Sequence, residues 1–330
     1  MSGARMSDAE RRVWAALPGD VRETLEALPA ADLTTLLLSL ARTRAARVRP
    51  AEVLRRWRDD RFVRPADSDP RASAAVQALL WELLPAEVAG VELSPVAPLG
   101  TCAAVGPGSQ DRIVTTIRPV EVVSDPTNAL AVEAADRRRR GKGRGAVHLA
   151  ASHRVLRAQR FGAGMQAHFR LFALVSSARD TGSGRTEARL LTLHLGYWQR
   201  VLARLAPSAA PTLRFTVLDS PVLRERLDDT VRPALAAGGV PLAEEPERTR
   251  GRGYYVDAAL RITATPGGEP VELGDGGFTT WTAQLTNDAK ERCLTSCIST
   301  DRLTALATGY RGGQRPRQGF AGARPRRDQA

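Results

Sequence analysis

Residues 148–195, HLAASHRVLRAQRFGAGMQAHFRLFALVSSARDTGSGRTEARLLTLHL, decide how this chain folds. They read as strand, loop, strand, loop, helix. Side chains alternate along a strand, so residues 152–161 place Arg154, Leu156, Ala158 and Arg160 on one face. His153, Val155, Arg157, Gln159 and Phe161 fall on the other. A loop with Gly162 and Gly164 follows. The return strand, residues 168–176, is almost wholly apolar in its second half, as a strand covered on both faces is. After residues 179–184 (RDTGSG), leucines at 190, 191, 193 and 195 mark a helix with Glu187 in its first turn. An inner face this apolar has no use for Arg157 and Gln159 unless something polar lies against it.

At 330 residues, 43% of them hydrophobic, the chain is long enough for one large domain plus a small one. No apolar run approaches the roughly 20 residues of a membrane span. The first residues, MSGARMSDAE, lack the apolar core of a signal peptide. The three cysteines, Cys102, Cys293 and Cys297, cannot all pair, so a reducing cytoplasm is expected. No histidine cluster accompanies Cys293 and Cys297, and no metal site is expected there. The net charge of +12 points to an anionic partner such as tRNA, a nucleotide or an acidic protein. Much of that excess sits in residues 137–144 (RRRRGKGR) and in the tail after Tyr310, where a solvated loop or tail reads the same.

Residues 1–65 read as a small helical unit. Ser7 and Glu10 fit a capping box ahead of a helix carrying Val13, Trp14 and Leu17. Further helices cover residues 21–28 and 30–44, the latter with Leu33, Leu36, Leu37 and Leu40 on one stripe. Pro50 opens a fourth, with Val53, Leu54 and Trp57 turned inward. The expectation is a bundle packed on the main domain, or else an accessory RNA- or protein-binding module. Residues 64–70 (RPADSDP) are a linker. A helix over 71–84 and a strand over 88–93 lead to Pro95. A turn at 106–108 and a strand over 111–118 come next. Asp125, Pro126 and Thr127 then open a helix that Asp125 or Thr127 would cap. Beyond residue 206 come a strand at 213–218, a helix at 221–235, an acidic loop at 244–247 and strands from Tyr254 onward. Residues 309–330 are basic and aperiodic, and are expected to be disordered.

The segment at 157–169 resembles the second signature motif of class II aminoacyl-tRNA synthetases, in the histidyl branch. That motif is Arg-x-Glu at a strand end, a loop, then a strand opening with Phe; here it is Arg157-Ala158-Gln159, loop, His168-Phe169. The resemblance implies that Arg157 holds the ATP α-phosphate, that Gln159 accepts from the adenine amino group in place of the usual acid, and that Phe169 stacks on adenine. Glu187 matches the family's helix glutamate. Residues 71–95 resemble the first motif, which builds a dimer interface. Asp125 and Thr127 stand where the family's Arg-Pro-Glu-Gly-Thr segment holds the substrate amino group, one or two residues out of step. Tyr254 and Tyr255 match a double tyrosine lining the amino-acid pocket, and the turn at Asp275-Gly276-Gly277-Phe278 matches a glycine-rich turn. Residues 295–303 resemble the third motif, whose closing arginine, here Arg302, binds the γ-phosphate. Ser299 replaces its usual glycine.

The resemblance covers about residues 71–308, and the roughly twenty residues after it are not expected to form an anticodon-binding domain. It implies an α+β fold: a six- or seven-stranded, mainly antiparallel sheet flanked by helices, after a small helical N-terminal unit. Domain bounds are expected at 1–65, 71–308 and 309–330. Three functions fit. One is a stand-alone ligase that activates a small amino-acid-like carboxylate with ATP and Mg²⁺, Arg157 and Arg302 supplying charge at the phosphates. Another is a catalytically silent paralogue that senses an amino acid, for which the regulatory subunit of ATP phosphoribosyltransferase is the family's precedent. The third is an RNA-binding protein, with tRNA or another RNA as partner. A homodimer without a membrane partner is expected throughout.

Overall fold

The computed structural model describes residues 6–106, 108–162, 166–218, 220–249 and 251–309. Pro107, Gly164 and the basic tail, all read above, lie outside them. In chain order come helices α1 (Asp8–Ala15), α2 (Val21–Ala27), α3 (Ala30–Ala45), α4 (Pro50–Asp59) and α5 (Pro70–Glu82). Then follow β1 (Ala89–Gly90), β2 (Val96–Pro98), α6 (Thr101–Ala104), β3 (Val120–Val122), α7 (Pro126–Arg140), β4 (Val147–Leu156), β5 (His168–Arg179) and α8 (Arg185–Leu205). β6 (Thr212–Val217), α9 (Pro221–Arg226), α10 (Arg232–Leu235), β7 (Leu242–Glu244) and β8 (Val256–Ala264) precede β9 (Val271–Thr279), α11 (Trp281–Thr286), β10 (Glu291–Ser299) and α12 (Thr300–Thr308).

The chain forms two compact units. One gathers residues Met1–Arg64, Ser94–Ser124 and Leu156–Ala167; the other holds the rest. In the smaller unit Ser7 caps α1 by accepting the Glu10 N–H at 3.1 Å. Helices α1 to α4 bury none of their residues, and Leu40, Val53, Leu54 and Trp57 are each about half exposed. This differs from the inward-facing stripes expected there. Outside α3, with its five leucines, each of these helices carries only two or three large apolar side chains, too few to enclose one another. The strand expected at 111–118 is also absent. A 3₁₀ turn occupies Gln110–Arg112, and the strand is β3, paired with β2.

The larger unit is built on an eight-stranded sheet of order β1-β4-β5-β10-β9-β8-β6-β7. This is the α+β architecture that the sequence implied, with one strand more than expected: the acidic stretch after residue 241 supplies β7, parallel to β6. β4 and β5 are neighbours. β10 runs antiparallel to both β5 and β9, and β8 antiparallel to β9 and β6.

The sheet has two unlike faces. On one, Phe172, Leu174, Leu213, Phe215, Leu260, Ile262, Leu294 and Ile298 pack with Leu190, Leu191, Trp198, Val201 and Leu202 of α8 into a continuous core. Within that core runs one polar chain. Trp198 Nε1 donates to Ser296 Oγ at 2.8 Å, and His194 touches Ser296 Oγ and Ser176 Oγ at 2.8 Å each. His148 Nδ1 meets Ser176 Oγ at 2.7 Å. Indole can only donate, so a consistent chain has Ser296 donating to His194 Nδ1 and His194 Nε2 donating to Ser176. Burial holds the His194 pKa down to about 3, with His148 adding to the effect, so the ring stays neutral.

On the other face α7 lies over β5. Its last turn, expected as part of a basic loop, is helical as far as Arg140. Arg138 there is buried: Nε and Nη2 donate to Glu291 Oε2 and Oε1 at 2.9 and 2.6 Å. Ser177 Oγ adds a bond to the same carboxylate at 3.0 Å. Arg137 and Arg140 pair with Glu133 and Asp136 one turn back, so this basic run is partly neutralised within the helix.

Two predictions follow from these buried groups. Glu291→Ala leaves a guanidinium enclosed without its carboxylate, and urea unfolding should show a loss of about 3–5 kcal/mol. For His194 the folded pKa lies below the usual 6.5, so between 6.5 and about 3 only the unfolded chain takes up the proton. Its contribution is complete above pH 6.5 and is lost as pH falls, at about 1.4 kcal/mol per unit. Urea midpoints measured from pH 7 to 4 should fall more steeply for the native chain than for His194→Gln.

Candidate functional site

Sheet register assembles the site. Arg214 of β6 stands opposite Arg261 of β8, Arg261 opposite Asp275 of β9, Asp275 opposite Cys297 of β10, and Cys297 opposite Ala173 of β5. Residues directly opposite each other share a face, and this row lies on the face away from α8. The next row is Thr216, Ala259, Gly277, Thr295 and Val175. Its small members make a shallow floor. A Cβ on Gly277 would fall 2.6 Å from the Tyr255 ring, so the glycine lets that ring lie flat against the sheet.

Tyr255 is 8% exposed and packs edge-on against Tyr254, centroids 4.8 Å apart. Tyr254 in turn meets Trp281 of α11 at 5.7 Å. Burial pushes the Tyr255 phenol well above its ordinary range, and the nearby Asp275, Tyr254, Cys297 and Asp125 push it further the same way. It therefore stays a neutral hydrogen-bonding group at physiological pH. Cys297 Sγ lies 3.9 Å from Asp275 Oδ1. Asp125 is the N-cap of α7, its Oδ1 accepting the Thr127 N–H at 3.0 Å and the Thr127 hydroxyl at 2.7 Å. Capping and a place beside Tyr255 are thus combined in one residue. Tyr254, Tyr255, Asp275, Asp125 and, through it, Thr127 come together as one polar cluster.

Phe169 shares a face with Leu171 and Ala173 on β5, and so with Cys297. Arg302 is exposed in the first turn of α12, its guanidinium donating to the Glu272 carbonyl at 2.5 Å. Ser299 caps that helix by accepting the Arg302 N–H at 3.3 Å, with φ at −72°. The backbone there requires no glycine. Arg157 and Gln159 belong to the smaller unit, in the segment just past β4. Arg157 Nε donates to the Ser124 carbonyl at 2.8 Å, and the Gln159 carbonyl accepts from Arg61 at 2.6 Å.

Glu187 stands elsewhere. It is buried and takes Arg292 Nε at 2.7 Å, while Arg292 Nη2 reaches Asp180 at 2.7 Å. Arg292 is seven residues from Ser299 on β10, roughly 23 Å along a strand. This ion-pair cluster clamps the start of α8 to β10 and separates Glu187 from Phe169 and Arg302. Helix position alone had matched it to the motif; the pairing with Arg292 is long-range and left no local signal. Arg261 and Arg214 carry no local signal, for only register sets Arg261 opposite Asp275 and Arg214 opposite Arg261, and Trp281 joins the site through Tyr254. Among the described residues no group of His, Cys, Asp and Glu is arranged to hold a metal ion.

No family model and no curated protein matches the chain. Solved structures do. The chain is similar to the apo histidyl-tRNA synthetase of S. aureus, with a TM-score of 0.56 at 15% identity over 75% of this chain and 71% of that one. A Bacillus halodurans protein described as an ATP phosphoribosyltransferase regulatory subunit/histidyl-tRNA synthetase gives 0.56 at 11%, over 75% and 83%. A histidine–tRNA ligase subunit from Alicyclobacillus acidocaldarius gives 0.53 at 13%, over 74% and 96%. At such identities the likeness is one of fold, and the fold is that of the class II synthetases. No described helix is long and apolar enough to cross a membrane.

The floor sets a testable constraint. Gly277→Val should displace the Tyr255 ring and lower stability by about 1–3 kcal/mol. Intrinsic fluorescence from Trp281, which touches Tyr254, should shift with it; an unchanged spectrum and melting temperature would remove Tyr255 from the floor.

Proposed function

We propose that this chain binds a small amino-acid-like carboxylate and activates it with ATP as an adenylate, acting as a stand-alone class II ligase. The observation that carries this reading is the gathering of Tyr254, Tyr255, Asp125 and Asp275 on one sheet face, with Phe169 on the same face. Two carboxylates and phenol hydroxyls suit an ammonium group, and a half-buried aromatic ring suits a purine. In the reaction a carboxylate oxygen attacks the α-phosphorus, the bond to pyrophosphate breaks, and acyl-adenylate and pyrophosphate leave. Arg157 would steady charge at the α-phosphate and Arg302 at the γ-phosphate, with Gln159 accepting from the adenine amino group. Mg²⁺ would arrive on the triphosphate. A homodimer is part of this proposal, and light scattering at micromolar concentration should give twice the chain mass.

One observation favours a second reading, an amino-acid-binding regulatory paralogue. The Arg302 guanidinium is already engaged by the Glu272 carbonyl, so a nucleotide would have to displace that bond. The Bacillus halodurans neighbour carries a regulatory-subunit description alongside the synthetase one. RNA binding through the basic run and tail is the remaining alternative. Arg137 and Arg140 there are already paired, which weighs against it.

Pyrophosphate exchange across the twenty amino acids separates these. Exchange with one of them supports the ligase; amino-acid binding by calorimetry without AMP formation supports the paralogue; salt-sensitive retention on RNA with neither supports the third. For the ligase, Arg302→Ala removes a charge-assisted phosphate contact of about 1.5–3 kcal/mol, so ATP affinity should fall tenfold or more. Unchanged ATP binding in that variant rejects the role.

A further inference from the structure

The site row carries a charge pattern that ammonium recognition leaves unused. On the β9 side stand Asp275 and, nearby, Asp125. On the β8 and β6 side stand Arg261 and Arg214, directly opposite each other on adjacent antiparallel strands. Like charges so placed repel, and a nearby anion relieves the repulsion. Glu245, just past β7, partly serves: its Oε1 takes Arg261 Nη2, and its backbone is tied to Phe215 and Thr216. Asp275 also stands opposite Arg261, so the carboxylates of this row neighbour Arg261, and Arg214 is left over. It is half-buried, its Nε is enclosed with no acceptor, and none of the described residues pairs with it. The Arg261 Nε is enclosed and unmatched in the same way. Buried guanidinium N–H groups without acceptors are costly; Glu245 Oε2 is enclosed and unmatched beside Arg261 as well, one oxygen for two such N–H groups, so Arg214 is the one left to an anion from outside.

We propose that Arg214 and Arg261 form an anion subsite, and that the ligand of this face is an amino acid whose side chain ends in an anionic oxygen group, a carboxylate or a phosphoryl. This rests on the amino-acid reading above and narrows it. The strand order sets the ligand's orientation. Phe169 marks the β5 side, where the reacting carboxylate meets the nucleotide; Asp275 and Tyr255 over β9 take the ammonium; and the side chain extends toward β8 and β6. Two strand spacings, roughly 10 Å, separate Asp275 from Arg214 at the backbone. An arginine side chain reaches several ångströms back across that gap, so a side chain the length of aspartate, glutamate or phosphoserine closes it. Arginine suits the task because its fork meets both oxygens of a carboxylate or phosphoryl group.

Calorimetry on the full chain at low salt tests this with L-aspartate, L-glutamate, O-phospho-L-serine, L-glutamine and succinate. The native protein should bind at least one anionic amino acid tenfold or more tightly than L-glutamine. Arg214→Gln should erase that preference, and Arg214→Lys should keep part of it. Since Arg214→Gln removes an unpartnered charge facing Arg261, its melting temperature should be unchanged or higher, so lost binding cannot be put down to unfolding. Glutamate against phosphoserine tells a carboxylate site from a phosphoryl one. Equal binding of L-glutamine and every anionic amino acid, or a preference that survives Arg214→Gln, overturns the proposal. Succinate and Asp275→Asn keep the two readings apart. If succinate binds in an Arg214-dependent way and the amino acids gain nothing over it, the anion subsite stands and ammonium recognition fails. If anionic amino acids bind through Arg214 but no pyrophosphate exchange occurs, the subsite stands and activation fails. Binding that Asp275→Asn weakens and Arg214→Gln does not is ammonium recognition alone, and the subsite falls.

Discussion

A guanidinium and a carboxylate enclosed together at the start of β10 hold α7 across the open half of the sheet. Glu291 could not be buried there alone; its two oxygens are met by the fork of Arg138 and by the Ser177 hydroxyl, which together offset the desolvation. The bond is two-pronged, so it sets the rotation of α7 as well as its position. From Arg138 the helix runs back to Pro126, roughly 18 Å at 1.5 Å per residue, and delivers its capped N-terminus beside Tyr255. The placement of Asp125 therefore depends on an ion pair at the helix's other end.

The two faces of the sheet are divided by chemistry. Toward α8, large apolar side chains interlock around a single polar chain through Ser176, His194 and Ser296, all satisfied and all neutral. Toward α7 and α11, small residues at Ala259, Gly277, Thr295 and Ala173 leave space that Tyr255 and the charged row occupy. A β-strand supplies both kinds of surface at once because neighbouring residues point opposite ways. A packed core on one side lets the other side remain polar without loss of the fold.

The charged row is also polarised along its length, with guanidinium groups over β6 and β8 and carboxylates over β9 and at the head of α7. Such a field suits a dipolar ligand better than a simple ion. The ion-pair cluster of Glu187, Arg292 and Asp180 lies at the other end of β10. It contributes to holding α8 in place, and its distance from Phe169 shows that charged residues in this fold serve structure and site at separate ends of the same strands.

Much of this was legible in residue order. The strand, loop, strand, helix reading of residues 148–195 follows from alternation and from leucine spacing, and β4, β5 and α8 stand where those patterns put them. Pro126 with Asp125 announces the start of α7, and Tyr254 and Tyr255 announce an aromatic approach to β8. Local signals of this kind depend on neighbours within a turn or two, which the chain carries with it. Glu187 shows their limit: its place in a first turn was readable, and its partner 105 residues away was not. The row from Arg214 through Arg261 and Asp275 to Cys297 was hidden for the same reason. Its members lie tens of residues apart, and a one-residue slip in any strand pairing would turn one of them to the opposite face. Sequence alone determined the elements and their order; register, set by how those elements pack, decided which charges face one another.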